Sequence, residues 1–260
     1  MKDFDFNKIK LIILDIDNTR ANNNHEITEY TRNIIKEIKN KGIYVVLCSG
    51  RSNNHTIEKS KLCNASPIVI SDNGAIIYNY SLQKVYASSS IKKDTIKKII
   101  EICDEYNIDY VLDTINTRYK YIDDIPCDIT QIVVDSTNKE DVNRCADILS
   151  SFEDIRIANT NLYNNIEKKD YYFCDITLKE ASKGFAIKKL INILNIKENE
   201  VICFGDSMND YTMLEASKYF IAMKNADKKL KEKAFMITED DNDDDGVAKF
   251  INKYILSKFI

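Results

Sequence analysis

The stretch Lys10-Leu11-Ile12-Ile13-Leu14-Asp15-Ile16-Asp17-Asn18-Thr19 ends an apolar run abruptly in two carboxylates. Four aliphatic residues bounded by charge read as a strand buried on both faces of a parallel sheet. Side chains alternate along an extended chain, so Asp15 and Asp17 should project the same way from the strand's carboxyl end. In open α/β sheets that end is where ligands bind. Two like charges so close stay ionised at little cost only with a cation between them or a proton on one. The pair alone is unspecific, because a chain with 41 acidic residues produces Asp-x-Asp easily.

Downstream, Ile27, Tyr30, Ile34, Ile35 and Ile38 fall at helical spacing, and Gly42 stands where a left-handed cap ends a helix. Ile43 to Cys48 reads as a second buried strand that stops at Ser49-Gly50-Arg51. Strand, helix and strand at this spacing form a βαβ unit, which implies a parallel sheet with right-handed crossovers. A third strand, Ile68-Val69-Ile70, ends in Ser71-Asp72-Asn73-Gly74, so successive strands deliver polar residues to one sheet edge. Asn73-Gly74 is expected to open a hairpin made of residues 75–78 and 84–86. Between residues 88 and 182 the texture changes to two helices, over 91–106 and 139–151, among period-two segments. That pattern predicts an inserted α+β module with an antiparallel sheet, covering the carboxyl edge of the main one. From Lys183 the parallel pattern resumes. Residues 184–194 have helical spacing, and Val201 to Phe204 is a buried strand running into Gly205-Asp206-Ser207-Met208-Asn209-Asp210, then a helix through Leu214. The expected fold is α/β: a parallel-sheet core of residues 1–87 and 183–260, with the insertion at 88–182.

Charged residues make up 30% and hydrophobic ones 44% of the 260, and the formal net charge is -4 with scattered basic residues. This is not the footprint of a nucleic-acid binder. No apolar stretch approaches the ~20 residues of a membrane span, and the polar start lacks a signal-peptide core. A cytoplasmic protein, monomeric or weakly dimeric, with no membrane or nucleic-acid partner is expected. The 7 cysteines lack Cys-x-x-Cys spacing and several sit in apolar runs, which reads as reduced, buried thiols. Only 2 histidines occur, His25 and His55, which argues against a His-dependent triad or a His-rich metal site. Asp241, Asp243, Asp245 and Gly246 match the first half of a calcium loop, but Asn252 stands at the closing position and a strand leads in. The acidic run is better read as a solvated loop favouring the positive end of the last helix.

Two strands far apart in sequence thus end in acid pairs, Asp15/Asp17 and Asp206/Asp210. If both lie in one parallel sheet, the carboxylates converge, and a hard divalent cation such as Mg²⁺ is the natural occupant. Ser49 offers a hydroxyl, Thr19 and the Asn18–Arg20 backbone offer donors, and Lys183 offers a fixed charge, which together make a phosphate site.

Asp15-Ile16-Asp17-Asn18-Thr19, Ser49-Gly50-Arg51, Asn73-Gly74-Ala75, Lys183-Gly184 and Gly205-Asp206-Ser207-Met208-Asn209-Asp210 stand in the order found in haloacid-dehalogenase superfamily phosphatases. The chain resembles the Cof-type subclass IIB, with a Rossmann-like core and a C2B cap, over nearly its whole length. The resemblance implies hydrolysis of a small phosphorylated metabolite through an aspartyl phosphate. Asp15 would be the nucleophile and Asp17 the acid, then the base that activates water. Ser49 would bond the transferring phosphoryl group and Lys183 would neutralise it. Mg²⁺ would be held by Asp15, Asp17 through its carbonyl, Asp206 and Asp210. Thr19, Gly50, Arg51, Asn73, Gly74 and Asn209 would line the substrate side, with Asn209 bracing Lys183 or the phosphate. Three positions depart from the subclass pattern: Asn18 replaces the usual glycine, Arg20 the usual leucine, and Lys224 a common glycine. A phosphomutase or phosphotransferase, or a module that binds a phosphorylated ligand without turnover, is the alternative.

Overall fold

The computed structural model describes residues 6–16, 27–120, 122, 124–164 and 170–259. The first part of the chain supplies β1 (Leu11–Leu14), α1 (Glu29–Asn40), β2 (Tyr44–Cys48), α2 (Asn53–Leu62), β3 (Ile68–Ser71), β4 (Ile76–Asn79) and β5 (Lys84–Ser88). Next come α3 (Lys93–Glu105), β6 (Asp109–Asp113), β7 (Arg118–Tyr119), β8 (Gln131–Ser136), α4 (Lys139–Leu149), β9 (Ile155–Asn164) and β10 (Asp170–Leu178). The last part is α5 (Lys183–Ile193), β11 (Val201–Gly205), β12 (Tyr219–Ala222), α6 (Lys228–Lys233), β13 (Met236–Ile237) and α7 (Gly246–Tyr254).

One sheet runs in the order β13-β12-β11-β1-β2-β3-β4-β5. β1 lies between β2 and β11, parallel to both, with Leu11 opposite Tyr44 on one side and Val201 on the other. All four residues of β1 are fully buried, because aliphatic side chains on both faces meet helices above and below. Each such side chain contributes about 1.5–3 kcal/mol of burial. α1 presents Ile34, Ile35 and Ile38 to this core, starts at the Thr28 cap, and ends before Gly42 at φ +82°.

The expected hairpin is present as antiparallel β4 and β5, and Asn73-Gly74 stands just before its first strand. Asp72, Asn73 and Gly74 all have positive φ, and they turn β3 directly into antiparallel β4. The β4–β5 turn forms instead around Asn79, whose Oδ1 accepts from the Ser81 and Leu82 backbone N–H groups at 3.1 Å each. A side chain that imitates a backbone turn can start a hairpin without an Asn-Gly pair.

Residues between β5 and α5 build a second sheet, β7-β6-β8-β10-β9, antiparallel throughout. Ile96, Ile99 and Cys103 of α3 and Val142, Cys145 and Leu149 of α4 pack against Leu112, Ile132, Val134, Cys174 and Ile176 on one face. The register aligns Asp113, Gln131 and Thr177 in one row, with Val133 and Asp175 in the next. Alternation puts these on the face away from the helices. That face meets the loops at the carboxyl ends of β2 and β3: Asn53 Nδ2 donates to the Ile115 carbonyl at 3.0 Å, and Gln131 Nε2 to the Gly50 carbonyl at 3.0 Å. All seven cysteines are free, and among them only Cys127 is exposed. Among the described residues no helix is long and apolar enough to cross a membrane.

Candidate active site

Parallel strands that end in polar residues must bring those residues together, and here they do. Asp15 leaves β1 with its N–H bonded to the Phe204 carbonyl of β11 at 3.2 Å. Asp206 follows β11 directly, so both acids sit at the same edge. Asp210 lies one turn further on, fully buried, and its Oδ2 accepts from the Asp206 N–H at 2.9 Å and the Ser207 N–H at 3.2 Å. Those bonds fold the segment tightly, and it continues as a 3₁₀ helix over Met208–Glu215 where an ordinary helix was expected.

Lys183 opens α5, and its Nζ donates to Asp15 Oδ1 at 2.7 Å and to Asp210 Oδ1 at 2.6 Å. The approach depends on Gly184, where a Cβ would stand 2.0 Å from the Thr212 carbonyl oxygen. Burial pushes the Lys183 ammonium down, but the Asp15 and Asp210 carboxylates outweigh it and hold its pKa well above the ordinary value.

Asp15, Asp206 and Asp210 are all buried and offer ligand atoms within 4.8 Å of one another. The cluster sets three buried carboxylates against the one ammonium of Lys183, an excess of acidic groups. Such a set is expensive in a poorly solvated crevice unless a cation joins it. All-oxygen donors suit a hard divalent ion with retained waters, so the residues fit magnesium.

Ser49 is buried at the end of β2, and its Oγ accepts from the Arg51 N–H at 3.1 Å, which keeps the hydroxyl proton for another acceptor. Gly50 gives its carbonyl to Gln131. Asn73 turns its amide toward the insertion, donating to Gln131 Oε1 at 2.9 Å and Asp175 Oδ2 at 3.0 Å. Gly74 lies where a Cβ would meet the Ser182 carbonyl oxygen at 2.2 Å. Asn209 Oδ1 accepts from Ser207 Oγ at 2.7 Å, and Asp210 braces Lys183. Asp17 and Thr19, with Asn18 and Arg20, lie outside the described residues.

A second polar cluster, not anticipated from sequence, joins the two sheets. Thr130 Oγ1 donates to Asp72 Oδ2, and Arg118 makes a bidentate pair with Asp113 at 2.7 Å per bond. Burial pushes the Asp72 carboxyl well up, helped by Asp113 and opposed by the Thr130 hydrogen bond. Burial likewise pushes Asp175 up to about 7, with the Asn73 hydrogen bond opposing and Asp113 assisting. The signal available in sequence was a lone acid, Asp175, within the apolar run Phe173-Cys174-Asp175-Ile176.

The chain resembles known proteins over nearly its whole length. The chain is 29% identical to YxeH of Bacillus subtilis, covering 96% of this chain and 99% of that one. It is 27% identical to the 5-amino-6-(5-phospho-D-ribitylamino)uracil phosphatase YcsE of the same organism, over 95% and 96% of the two chains. Its fold matches that of a solved subclass IIB sugar phosphatase with a TM-score of 0.76 at 21% identity, covering 94% of this chain and 98% of that one. The family model of haloacid dehalogenase-like hydrolases spans residues 12–251, and the chain belongs to that family.

Proposed function

We propose that the protein is a magnesium-dependent phosphatase that hydrolyses phosphate monoesters of small metabolites, sugar phosphates or similar, through an aspartyl phosphate. The observation that carries this reading is Lys183, fully enclosed and clamped between Asp15 and Asp210. A buried ammonium holding one oxygen of a strand-end carboxylate orients the other for attack and awaits an incoming anion. Asp15 attacks phosphorus, and the bond to the leaving alcohol breaks. Asp17 protonates the leaving oxygen and then takes a proton from the water that cleaves the acyl phosphate. Ser49 donates its hydroxyl to a phosphoryl oxygen, and Lys183 neutralises part of the phosphoryl charge.

Asp15, Asp17, Asp206 and Asp210 form the set that would hold magnesium. When bound, the ion lets a phosphate dianion approach a carboxylate that would otherwise repel it. Residues 88–182 form the cap, which excludes water and selects the alcohol; residues 1–87 and 183–260 form the core. Membership of the hydrolase family supports the reaction type, and the relative YcsE, a phosphatase by name, supports a small phosphorylated substrate.

The direct test is phosphate release from p-nitrophenyl phosphate, expected with Mg²⁺ and absent with a chelator. Sugar phosphates returned isomerised without free phosphate would replace hydrolysis by a mutase reaction, and tight binding without turnover across a metabolite panel would make the protein a sensor. The metal has its own readout. Mg²⁺ at 100 times its dissociation constant should stabilise the fold by about 2.7 kcal/mol. Thermal unfolding should show this upshift in the wild type and lose most of it in Asp206→Asn. A melting temperature indifferent to Mg²⁺ would remove the ion from the site.

A further inference from the structure

The polar cluster between the two sheets reaches the phosphate site from behind. Asn73 donates its backbone N–H to the Ser49 carbonyl at 3.1 Å, and Asp72 donates its own to the Arg51 carbonyl at 3.0 Å. The Ser49-Gly50-Arg51 loop therefore rests on the turn between β3 and β4. Gln131 closes the arrangement from the insertion: its Nε2 donates to Gly50 and its Oε1 accepts from Asn73. Because Nε2 is committed to a carbonyl, Oε1 must face Asn73, which fixes which end of each amide points where. A Cβ on Gly50 would stand 2.9 Å from Asn73 Oδ1, so nothing larger than glycine fits beneath the amide without a shift.

On its other side the same turn touches the lysine. The Cβ position of Gly74 lies 2.2 Å from the Ser182 carbonyl oxygen and 2.8 Å from the Lys183 backbone nitrogen. One turn thus abuts the residues that carry the hydroxyl and the ammonium, and two buried side chains of the insertion grip it. The turn is also strained, with positive φ at Asp72, Asn73 and Gly74 in succession. Asp72 Oδ1 and Asn73 Oδ1 are buried there without a hydrogen-bond partner among the described residues.

We propose that Asn73 is a positioning residue: Gln131 and Asp175 of the insertion hold its amide, and through it and Gly74 the seated insertion sets Ser49 and Lys183 against Asp15. This rests on the phosphatase reading for its kinetic consequence but not for its structural one. Asn73 accordingly touches the loop, not the substrate.

The charged groups facing Asp175 are Asp113 of β6, Arg118 of β7, Arg51 after β2 and, across the turn, Asp72. Its carboxyl has an ordinary value of 3.8 and is held at about 7 in the joint. Between those values the seated state binds more protons than the unfolded chain. The stability it contributes is therefore complete below the ordinary value and is lost as pH rises through about 7. Asp175→Asn keeps an oxygen for Asn73 while removing the titration.

Asn73→Ala, Gln131→Ala and their double variant should each lower kcat on p-nitrophenyl phosphate by about 10- to 100-fold, with KM moving less than about 3-fold. The double variant should be no worse than the worse single one. Asp175→Asn should keep kcat within about 3-fold of the wild type where Asp175→Ala does not, and should flatten the fall in melting temperature as pH rises through 7. Amide exchange at Gly50, Arg51 and Gly184 should quicken in Asn73→Ala and Gln131→Ala but not in Asp175→Asn. A rise in KM at unchanged kcat would make Asn73 a substrate contact and overturn the proposal, as would additive losses in the double variant. A wild type that releases no phosphate would overturn the phosphatase reading alone. Amide exchange then decides the joint, and unchanged exchange in both alanine variants would overturn it.

Discussion

Asp15→Asn is expected to abolish phosphate release, by about 10⁴-fold or more, while leaving the fold intact. The amide oxygen of asparagine can still accept from Lys183, and the residue stays the same size in a site where Asp15 is 5% exposed. On the proposed mechanism what disappears is the nucleophile: a neutral amide cannot form the acyl phosphate, and enzymes stripped of a nucleophile keep only the catalysis supplied by binding and charge. The variant should still bind inorganic phosphate with Mg²⁺. Single-turnover labelling should trap phosphate on the wild-type chain and none on the variant. Residual turnover above about one part in a hundred would mean that water attacks phosphorus directly, and the covalent route would be wrong.

Lys183→Met should cost more in folding than any other single change at the site. The ammonium has no side-chain exposure and faces two carboxylates that are themselves 6% and 0% exposed. Removing one partner from a buried ion network leaves the others uncompensated, which typically costs about 3–5 kcal/mol. Mg²⁺ should restore part of the stability by supplying positive charge to the same carboxylates. Urea unfolding at pH 8, with and without Mg²⁺, measures both effects. A loss under about 1 kcal/mol at pH 8 would mean that water reaches the pair.

The parts of the molecule legible in the sequence are those governed by periodicity and by strand-end chemistry. β1, β2, β3 and β11 announce themselves as aliphatic runs because both faces are buried, and their polar stops meet because parallel strands share an edge. Asp15, Asp206, Asp210 and Lys183 converge for that reason. Turn partners were less legible. Asn73-Gly74 signals a hairpin without saying which strands it joins, and Asn79 served the other turn through its side chain. Tertiary hydrogen bonds are not encoded by spacing at all, so nothing in the sequence singles out Gln131 and Thr130. The acidic run before α7 reads as solvated, yet Asp245 adopts a left-handed backbone and takes the hydroxyls of Thr28 and Thr31, which ties the last helix to the first.

The position of β1 between β2 and β11 also sets the order in which the molecule can be finished. β2 can pair with β1 as soon as it is made, but the other edge of β1 waits for Val201 and its neighbours. At ribosomal speeds of about 5–20 residues per second, that edge stays unpaired for roughly 10–40 s of synthesis. During that interval the most hydrophobic strand of the protein presents free backbone donors and acceptors, the template on which unrelated chains add. The inserted module, whose contacts are local, can fold meanwhile and shield the loops above it. Refolding is expected to be slowed by this non-local pairing of β1 with β11.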